Sequence, residues 1–343
     1  MVKFGIGFMP DSRIDKIVEC VKLAEKRQFD FLWILDSIPL NDFRDAYPLI
    51  SILSMETKRI MIGAWASNLF AYHPALMLVS VLTINELSNG RAMISLSLDN
   101  PLILKALGIE ANVEKTRFLK DFILIIRDLL SGKTISYDGK IFKFENIALF
   151  HKPKNKIPIY VLASTDEELK IAGQLANGVL LNAPLEYFKF AWEIVKDGAK
   201  EVNRDLSEFE LVNWLPWSVS KDVKLAKDLV KPYIAKLILN MPKGFLEKLG
   251  IDEGLKERIK NSIESQSSLN EYISDKIVEK LSFTGTIWDC NKKVKEYVKA
   301  SGWPEVRGKL QLVVGEPFGP NPLEAIDLIG KETVQIFRMP YDC

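Results

Sequence analysis

The chain is poor in histidine and cysteine, which argues against two kinds of site. Its 343 residues include two histidines and three cysteines. Neither His73 nor His151 has another His, a Cys or a carboxylate at ligand spacing, so a zinc site is not expected. Cys20, Cys290 and Cys343 form an odd and widely scattered set, which is typical of the reducing cytoplasm and offers no disulfide framework.

The chain also lacks an excess of either charge and a long apolar run. Its 46 basic residues nearly balance 45 acidic ones, so no long-range field attracts a polyanion and nucleic acid is not an expected partner. Residues 1–8 enter an apolar strand with no basic leader, so no export signal is expected. No apolar run is long enough and free enough of charge to cross a bilayer, so a membrane is not an expected partner either.

What the chain does contain is an alternation of short β-branched or aromatic runs with longer stretches whose apolar residues lie three and four apart. Strands are predicted at Lys3–Phe8, Phe31–Leu35, Ile60–Trp65, Arg91–Ser97, Ile157–Leu162, Gly178–Leu181, Glu210–Val219 and Leu310–Val314. Helices are predicted between them. Eight strands without a polar linker favour one α/β domain, a (β/α)8 TIM barrel of residues 1–338, over two domains. Residues 339–343 are expected to be a loose tail.

Two segments depart from this alternation. Residues 131–150 have the pattern of a β-hairpin, because Asp138-Gly139 separates two short β-branched and aromatic runs. Residues 221–307 are rich in Lys and Glu and have a mainly helical pattern. We therefore predict a hairpin insertion in the barrel and a helical insertion before its last strand.

In a parallel barrel the reacting groups lie at the carboxyl ends of the strands. Asp36 is the strongest isolated candidate there, because a carboxylate that ends the apolar run Phe31–Leu35 needs a partner or a chemical task. The alternative is a carboxylate that caps the next loop or helix, and the two stay open. His73 is interpreted as a helix-entry residue before Pro74, and Cys20 as a small buried hydrophobe. Core or interface positions are expected for Trp192, Trp214, Trp217, Trp288 and Trp303.

Several stretches carry a resemblance to a known family. They are Lys3–Phe8, the turn Glu86–Arg91 (ELSNGR), Ala106–Ile109, Ile157–Tyr160 and Gly315–Pro320 (GEPFGP). These stretches resemble the methylenetetrahydromethanopterin reductases of the bacterial luciferase superfamily, and ELSNGR is shared widely across luciferase-like proteins. The likeness spans nearly the whole chain.

The resemblance implies a barrel that holds the deazaflavin coenzyme F420, or FMN in the monooxygenase branch, at the strand ends. Hydride would pass between the coenzyme ring and a bound small-molecule substrate, with Asp36 as the catalytic residue. The implied coenzyme contacts are Trp65, Ala66, Ser67, Asn68, Ser97, Asp99, Ala163, Ser164 and Thr165. In the reductases the third strand ends in a bulge with a cis non-prolyl peptide, which this motif places at Trp65-Ala66.

The resemblance also implies a cytoplasmic protein that pairs as a homodimer. The apolar faces of the second and third helices are the candidate interface, including Leu76, Val79 and Val81. Ordinary core packing of these side chains is the equal alternative.

Five positions depart from the family pattern. Many reductases have a glutamate at the position of Gly7, a histidine at Ser37 and a small residue at Trp65. The glycine-rich end of the fourth strand is replaced by residues 95–100, where added side chains around Ser97 are expected to narrow the approach to the coenzyme. Thr165 with Glu168 forms a capping box, which would use the helix amides that hold the coenzyme phosphate in relatives.

Two classes of function follow from these matches and departures. The first is an F420-dependent oxidoreductase with an altered substrate, with an FMN-dependent monooxygenase as its close variant. The second is a paralogue that kept the barrel, lost the coenzyme and acts as a binding or assembly subunit. The full-length scaffold favours the first, and the five altered positions favour the second.

Overall fold

A computed structural model describes residues 2–36, 43–98, 104–105, 107–109, 113–149, 152–153, 155–241, 243–252, 254–265, 269–301 and 309–338. Two predicted site residues, Ser37 and Asp99, lie outside these ranges. Trp303 and the tail at 339–343 lie outside them as well.

Eight parallel strands close into a barrel in chain order, which confirms the predicted (β/α)8 fold. Each strand pairs with the next, and the last pairs in parallel with the first. The barrel strands are β1 (Lys3–Phe8), β2 (Phe31–Leu35), β3 (Met61–Trp65), β5 (Ala92–Ser97), β8 (Ile159–Leu162), β9 (Gly178–Leu181), β10 (Glu210–Val219) and β12 (Leu310–Phe318). The strands outside this ring are β4 (Ser67–Asn68), β6 (Ile135–Asp138), β7 (Lys143–Ile147) and β11 (Phe283–Gly285).

Helices cover the outside of the barrel and supply its outer core. They are α1 (Ile14–Lys26), α2 (Ala46–Glu56), α3 (Pro74–Leu87), α4 (Lys115–Leu130), α5 (Asp166–Leu175), α6 (Leu185–Glu201), α7 (Val223–Asn240), α8 (Lys243–Lys248), α9 (Gly254–Glu264), α10 (Asp275–Leu281), α11 (Ile287–Ser301), α12 (Pro322–Ile329) and α13 (Gln335–Arg338). A single 3₁₀ turn, Leu269–Glu271, precedes α10, and a π-helical turn, Gly330–Val334, joins α12 to α13. None of the described helices is long and apolar enough to span a bilayer.

Arg91 explains why the ELSNGR turn belongs to the scaffold. Helix α3 ends before Asn89 and Gly90, which both take positive φ angles and reverse the chain. The Arg91 side chain is 8% exposed and donates hydrogen bonds to backbone carbonyls of Ser54, Thr57, Ile60 and Ser88. One guanidinium therefore joins the end of α2, the start of β3 and the end of α3.

The barrel interior is closed at the amino ends of its strands by a polar cluster. Glu210 accepts hydrogen bonds from the Tyr160 hydroxyl at 2.5 Å and from Gln311 Nε2 at 2.6 Å. Lys3 Nζ lies 2.5 Å from the other carboxylate oxygen of Glu210. This cluster pairs the Glu210 carboxylate with three donors at the amino ends of the strands, so we assign it to stability rather than to chemistry.

Both insertions are present, with two differences from the expected pattern. In the hairpin Asp138 pairs with Lys143, so the turn is wider than the predicted Asp138-Gly139 turn. The helical insertion contains α7 to α11 but also strand β11, which pairs in parallel with the end of β10. Three residues are too few to show a period of two in the sequence, which is why this strand was not predicted.

Tryptophan positions follow the prediction with one exception. Trp192, Trp214 and Trp217 are buried. Trp288 is 69% exposed, so the core position expected for it is wrong within a single chain. Cys20 is buried in the first helix as predicted.

Candidate functional site

The carboxyl ends of the barrel strands bring most of the predicted site residues to one end of the molecule. Asp36 follows β2, Ser67 and Asn68 form β4 directly after β3, and Ser97 ends β5. Ala163 and Ser164 follow β8. We call this end of the barrel the mouth, and it is the place where reacting groups collect in barrels of this kind.

A backbone bulge separates β3 from β4. Ala66 has a φ of 64°, a left-handed conformation that is uncommon for a residue with a side chain. The Ser95 hydroxyl accepts a hydrogen bond from the Ala66 amide at 2.7 Å and donates one to the Ala64 carbonyl at 2.7 Å. Ser95 therefore holds the bulge in place, which gives this departure from a glycine-rich strand a structural reason.

The bulge is where the motif predicted it, but its peptide geometry differs. Among the described residues the cis peptide bond joins Glu316 to Pro317, and the Trp65–Ala66 bond is not cis. The cis bond that the resemblance implies for this bulge is therefore not found in this chain. The left-handed conformation of Ala66 makes the change of direction instead.

Asp36 lies at the centre of a hydrogen-bond network on the mouth side of the bulge. Its side chain is 5% exposed. Ser67 Oγ donates to Asp36 Oδ2 at 2.6 Å, and the Tyr72 hydroxyl donates to Oδ1 at 3.1 Å. The Tyr47 hydroxyl lies 3.1 Å from Ser67 Oγ. A structural cap for the next helix is not its task, because Asp45 caps α2 through the Tyr47 amide.

Burial is the main cause that raises the pKa of Asp36 to about 6. The hydrogen bonds from Ser67 and Tyr72 lower the pKa, and the negative charge of Asp45 raises it slightly. A carboxyl group in this range can gain or lose a proton near neutral pH, as a general acid or base must. Tyr47 and Tyr72 were not predicted as site residues. Their sequence positions, in the first turn of α2 and just before α3, give no local sign that they meet at Asp36.

Asn68 carries a buried polar atom with no partner. The residue is 3% exposed, and its Oδ1 accepts a hydrogen bond from the Phe70 amide at 3.0 Å. Its Nδ2 is buried without a hydrogen-bond partner in the part of the chain that the structure describes. An unsatisfied buried donor costs roughly 1–3 kcal/mol, so a ligand that accepts from it would recover that energy.

Three tryptophans pack together in the barrel beneath the mouth. Trp65 is 2% exposed, and its ring centroid lies 5.4 Å from that of Trp33 and 4.9 Å from that of Trp214. The partly buried apolar neighbours of this cluster are Leu35, Met61, Ala66 and Leu162. The predicted contact of Trp65 with a coenzyme ring stays a prediction.

Trp214 fits only because two neighbouring positions are glycine. A Cβ added to Gly7 would lie 2.5 Å from Trp214 Cζ2, and one added to Gly315 would lie 2.1 Å from its Nε1. Both distances are far below van der Waals contact. The absence of a side chain at Gly7 is therefore required by the packing of Trp214.

The amino terminus of α5 is occupied by the chain's own carboxylate. The Glu168 side chain is 3% exposed and accepts hydrogen bonds from the Ser164 amide at 2.7 Å and the Thr165 amide at 3.1 Å. The Thr165 hydroxyl accepts from the Glu168 amide, which completes the predicted capping box. Three of the amides at this helix start, those of Ser164, Thr165 and Glu168, are therefore already satisfied.

Three further candidates are His73, Ser97 and Ala163. His73 caps α3 by accepting a hydrogen bond from the Ala75 amide at Nδ1, which confirms the helix-entry prediction. Ser97 and Ala163 are 4% and 5% exposed.

Among the residues that the structure describes, no group of three or more His, Cys, Asp or Glu side chains could hold a metal ion.

Comparison with known proteins places this architecture in a family. A family model described as luciferase-like monooxygenase matches residues 3–302. The chain belongs to the luciferase-like family. It is 31% identical over 341 residues to a 5,10-methylenetetrahydromethanopterin reductase of Archaeoglobus fulgidus, covering 97% of this chain and 99% of the relative. It is 32% identical over 336 residues to the reductase of that name from Methanolobus tindarius, covering 96% and 99% of the two chains.

A solved luciferase-like structure gives the same result in three dimensions. The coenzyme F420 dependent tetrahydromethanopterin reductase from Methanopyrus kandleri superposes with a TM-score of 0.87. The two are 27% identical, and the match covers 98% of this chain and 99% of that one. The predicted resemblance to the reductases is confirmed by sequence and by structure.

Three departures from the luciferase-like pattern now have physical explanations within this chain. Gly7 makes room for Trp214, Ser95 holds the bulge, and Trp65 packs into the barrel interior. Thr165 with Glu168 is the departure that changes the amino terminus of a helix at the mouth.

Proposed function

We propose that this protein is an F420-dependent oxidoreductase that transfers hydride between the coenzyme and a small-molecule substrate bound at the mouth. Full-length relatives named as reductases, and a structural match described as coenzyme F420 dependent, support this proposal. The observation that carries it is a buried carboxyl group, Asp36, hydrogen-bonded to Ser67 beside the bulge.

The residues at the bulge fit the ring of such a coenzyme. Ala66, Ser67 and Asn68 would hold it, and the unpaired Nδ2 of Asn68 would donate to one of the ring's carbonyl or nitrogen acceptors. When bound, the coenzyme would supply or accept the hydride. The chain's own contribution is to orient the ring on an apolar floor and to hold or release a proton at Asp36.

The amino terminus of α5 does not fit the coenzyme's phosphate. Glu168 occupies the amides there, and Asp166 and Glu167 add negative charge in the same turn, which repels an anion at short range. We place the phosphate away from α5. This disagreement is also the observation that favours the second candidate function, a paralogue without coenzyme that acts as a binding or assembly subunit.

Titration with F420 and, separately, with FMN distinguishes these candidates, with tryptophan fluorescence quenching as the readout. Saturable binding of F420 at one site per chain supports the proposal, and binding of FMN alone would replace F420 by FMN. No binding of either would favour the assembly function. Quenching is expected because Trp65 and Trp214 lie directly beneath the mouth.

Turnover tests the assignment of Asp36 as the catalytic residue. Asp36→Asn is expected to reduce hydride transfer, followed by the absorbance of F420, while coenzyme binding persists. Asp121→Asn is the matched control, because Asp121 accepts a hydrogen bond from Tyr137 at 2.9 Å beside the hairpin. Turnover that is unchanged in Asp36→Asn would remove this residue from the reaction.

We also propose a homodimer in the cytoplasm. Leu76 and Val79 on α3 are 69% and 50% exposed, and Met55 on α2 is 63% exposed, which supports an interface on these two helices. Val81 is 3% exposed, so for this residue the alternative of core packing holds and it is not part of the proposed interface. Leu76→Glu should convert a dimer to a monomer in sedimentation, and a monomeric wild type would contradict the proposal.

The proposed cytoplasmic location is supported by the cysteines. The buried free thiols of Cys20 and Cys290 suit a reducing compartment.

A further inference from the structure

Hydroxyl groups connect the buried carboxyl group of Asp36 to two other elements of the fold. The Tyr47 hydroxyl on α2 contacts Ser67 Oγ at 3.1 Å, and Ser67 donates to Asp36 at 2.6 Å. The Tyr72 hydroxyl, in the loop before α3, donates to the second carboxylate oxygen at 3.1 Å. The rings of Tyr47 and Tyr72 meet edge to face with centroids 5.4 Å apart, so each restricts the other.

This network is complete for a charged carboxylate. An ionised carboxylate only accepts hydrogen bonds, whereas a carboxylic acid donates one. If Asp36 takes up a proton, one of its two donors must therefore become an acceptor. A hydroxyl group can do this by rotating its hydrogen, with no movement of heavier atoms.

The contact between Tyr47 and Ser67 allows this reversal, because either oxygen can be the donor. With Asp36 ionised, Tyr47 donates to Ser67 and Ser67 donates to Asp36. With Asp36 protonated, Asp36 donates to Ser67 and Ser67 donates to Tyr47. The two states use the same oxygen positions, so both can exist in one folded structure.

The charges around Asp36 do not fix it in one state. Asp45, at the start of α2, is the charged group that acts on it, and it is also an anion. The other facing groups are Tyr47 from α2, Tyr72 from the loop before α3 and Ser67 from β4. Within the part of the chain that the structure describes, hydrogen bonds are therefore what stabilises the charged form of Asp36.

We propose that Tyr47, Ser67 and Tyr72 are positioning residues that form a reversible hydrogen-bond chain, which holds Asp36 in place both as carboxylate and as carboxylic acid. When Asp36 releases its proton to a bound molecule, Tyr47 again donates to Ser67 and Ser67 donates to Asp36. When Asp36 takes up a proton from solvent, both hydrogen bonds reverse. The use of this proton in catalysis rests on the proposed oxidoreductase function. The existence of the hydrogen-bond chain does not depend on that function.

Infrared difference spectroscopy of the full protein without coenzyme tests this proposal. The C=O stretching band of a protonated carboxyl group is followed as a function of pH and assigned to Asp36 by its loss in Asp36→Asn. Tyr72→Phe removes a donor to the charged form, so the midpoint of the band should move to higher pH, on the order of tenfold or more in the acid dissociation constant. Tyr47→Phe should move the midpoint to lower pH, because Ser67 then has no acceptor for its hydrogen when it accepts from protonated Asp36.

The variants and the control distinguish a reversible hydrogen-bond chain from side-chain contacts that only stabilise the fold. Tyr137→Phe removes a hydroxyl that donates to Asp121 near the hairpin and should leave the midpoint unchanged. Ser67→Ala is the second variant if Tyr72→Phe does not fold, and it should also raise the midpoint. A midpoint that is unchanged in Tyr47→Phe would overturn the proposal, even if F420 binds tightly. Failure to bind F420 would overturn the proposed function and leave the infrared result standing.

Discussion

Replacement of Asp36 by asparagine removes a charge that the fold disfavours. The side chain is 5% exposed, and burial raises its pKa to about 6 even though Ser67 and Tyr72 donate hydrogen bonds to it. Asparagine has nearly the same shape, and its amide can still accept from Ser67. The variant therefore isolates the energetic effect of ionisation from that of packing.

The expected magnitude follows from the linkage between proton binding and folding. The pKa rises from the model-compound value of 3.8 to about 6 in the folded chain. Between these two values the folded chain binds more protons than the unfolded chain, so the free energy of unfolding falls as pH rises. Each tenfold change in the dissociation constant is worth about 1.4 kcal/mol, so the full loss is about 3 kcal/mol. Above pH ~6 the free energy of unfolding of the wild type is lower by this full amount, whereas that of Asp36→Asn does not change with this ionisation.

Urea denaturation of both proteins from about pH 4 to about pH 8 measures this difference. The stability of Asp36→Asn relative to wild type should increase by about 2.5 kcal/mol over that range, because the unfolded chain already starts to lose its proton near the lower limit. Asp121→Asn, in which a carboxylate near the hairpin is replaced, controls for the loss of an aspartate in general. A relative stability of Asp36→Asn that does not change with pH would refute the reasoning.

Three further substitutions test the packing around the mouth. Gly7→Ala places a Cβ 2.5 Å from Trp214 and should destabilise by about 1–3 kcal/mol in urea denaturation; Trp214→Phe should reduce that loss, and equal losses in both backgrounds would contradict the packing argument. Ser95→Ala removes both hydrogen bonds to the bulge and should lower stability by about 2 kcal/mol, with faster hydrogen exchange at the Ala66 amide; unchanged protection of that amide would count against it. Glu168→Gln weakens the cap of α5 and should lower stability by about 1 kcal/mol in thermal unfolding, whereas an unchanged midpoint would show that the carboxylate is not needed there.

The barrel itself could be predicted from the sequence because its strands are buried on both faces. The bounds of β1, β2, β9 and β10 match the predicted runs, since apolar and β-branched residues fill such strands from end to end. The last strand is longer than predicted and reaches Phe318. Its final residues, from Gly315 onward, lack the apolar pattern because they pack around Trp214 and the mouth.

The site could be predicted only in part, because its decisive contacts join residues far apart in the chain. Asp36 was found because a carboxylate at the end of an apolar run is unusual. Tyr47 and Tyr72 were not, because nothing near them in the sequence shows that Tyr47 contacts Ser67 at the bulge or that Tyr72 donates directly to the carboxylate. The sequence shows at Gly7 only that the glutamate of many reductases is missing. The reason for the glycine is the Trp214 indole, which belongs to the seventh barrel strand and leaves no room for a side chain at Gly7.

A crystal structure with F420 bound tests most directly the claim that the mouth is the coenzyme site. The account predicts density for the tricyclic ring against Ala66 to Asn68, an acceptor atom of the ring within hydrogen-bond distance of Asn68 Nδ2, and a phosphate away from the amino terminus of α5. Density for the ring at any other place, or none at a saturating concentration of F420, would contradict it.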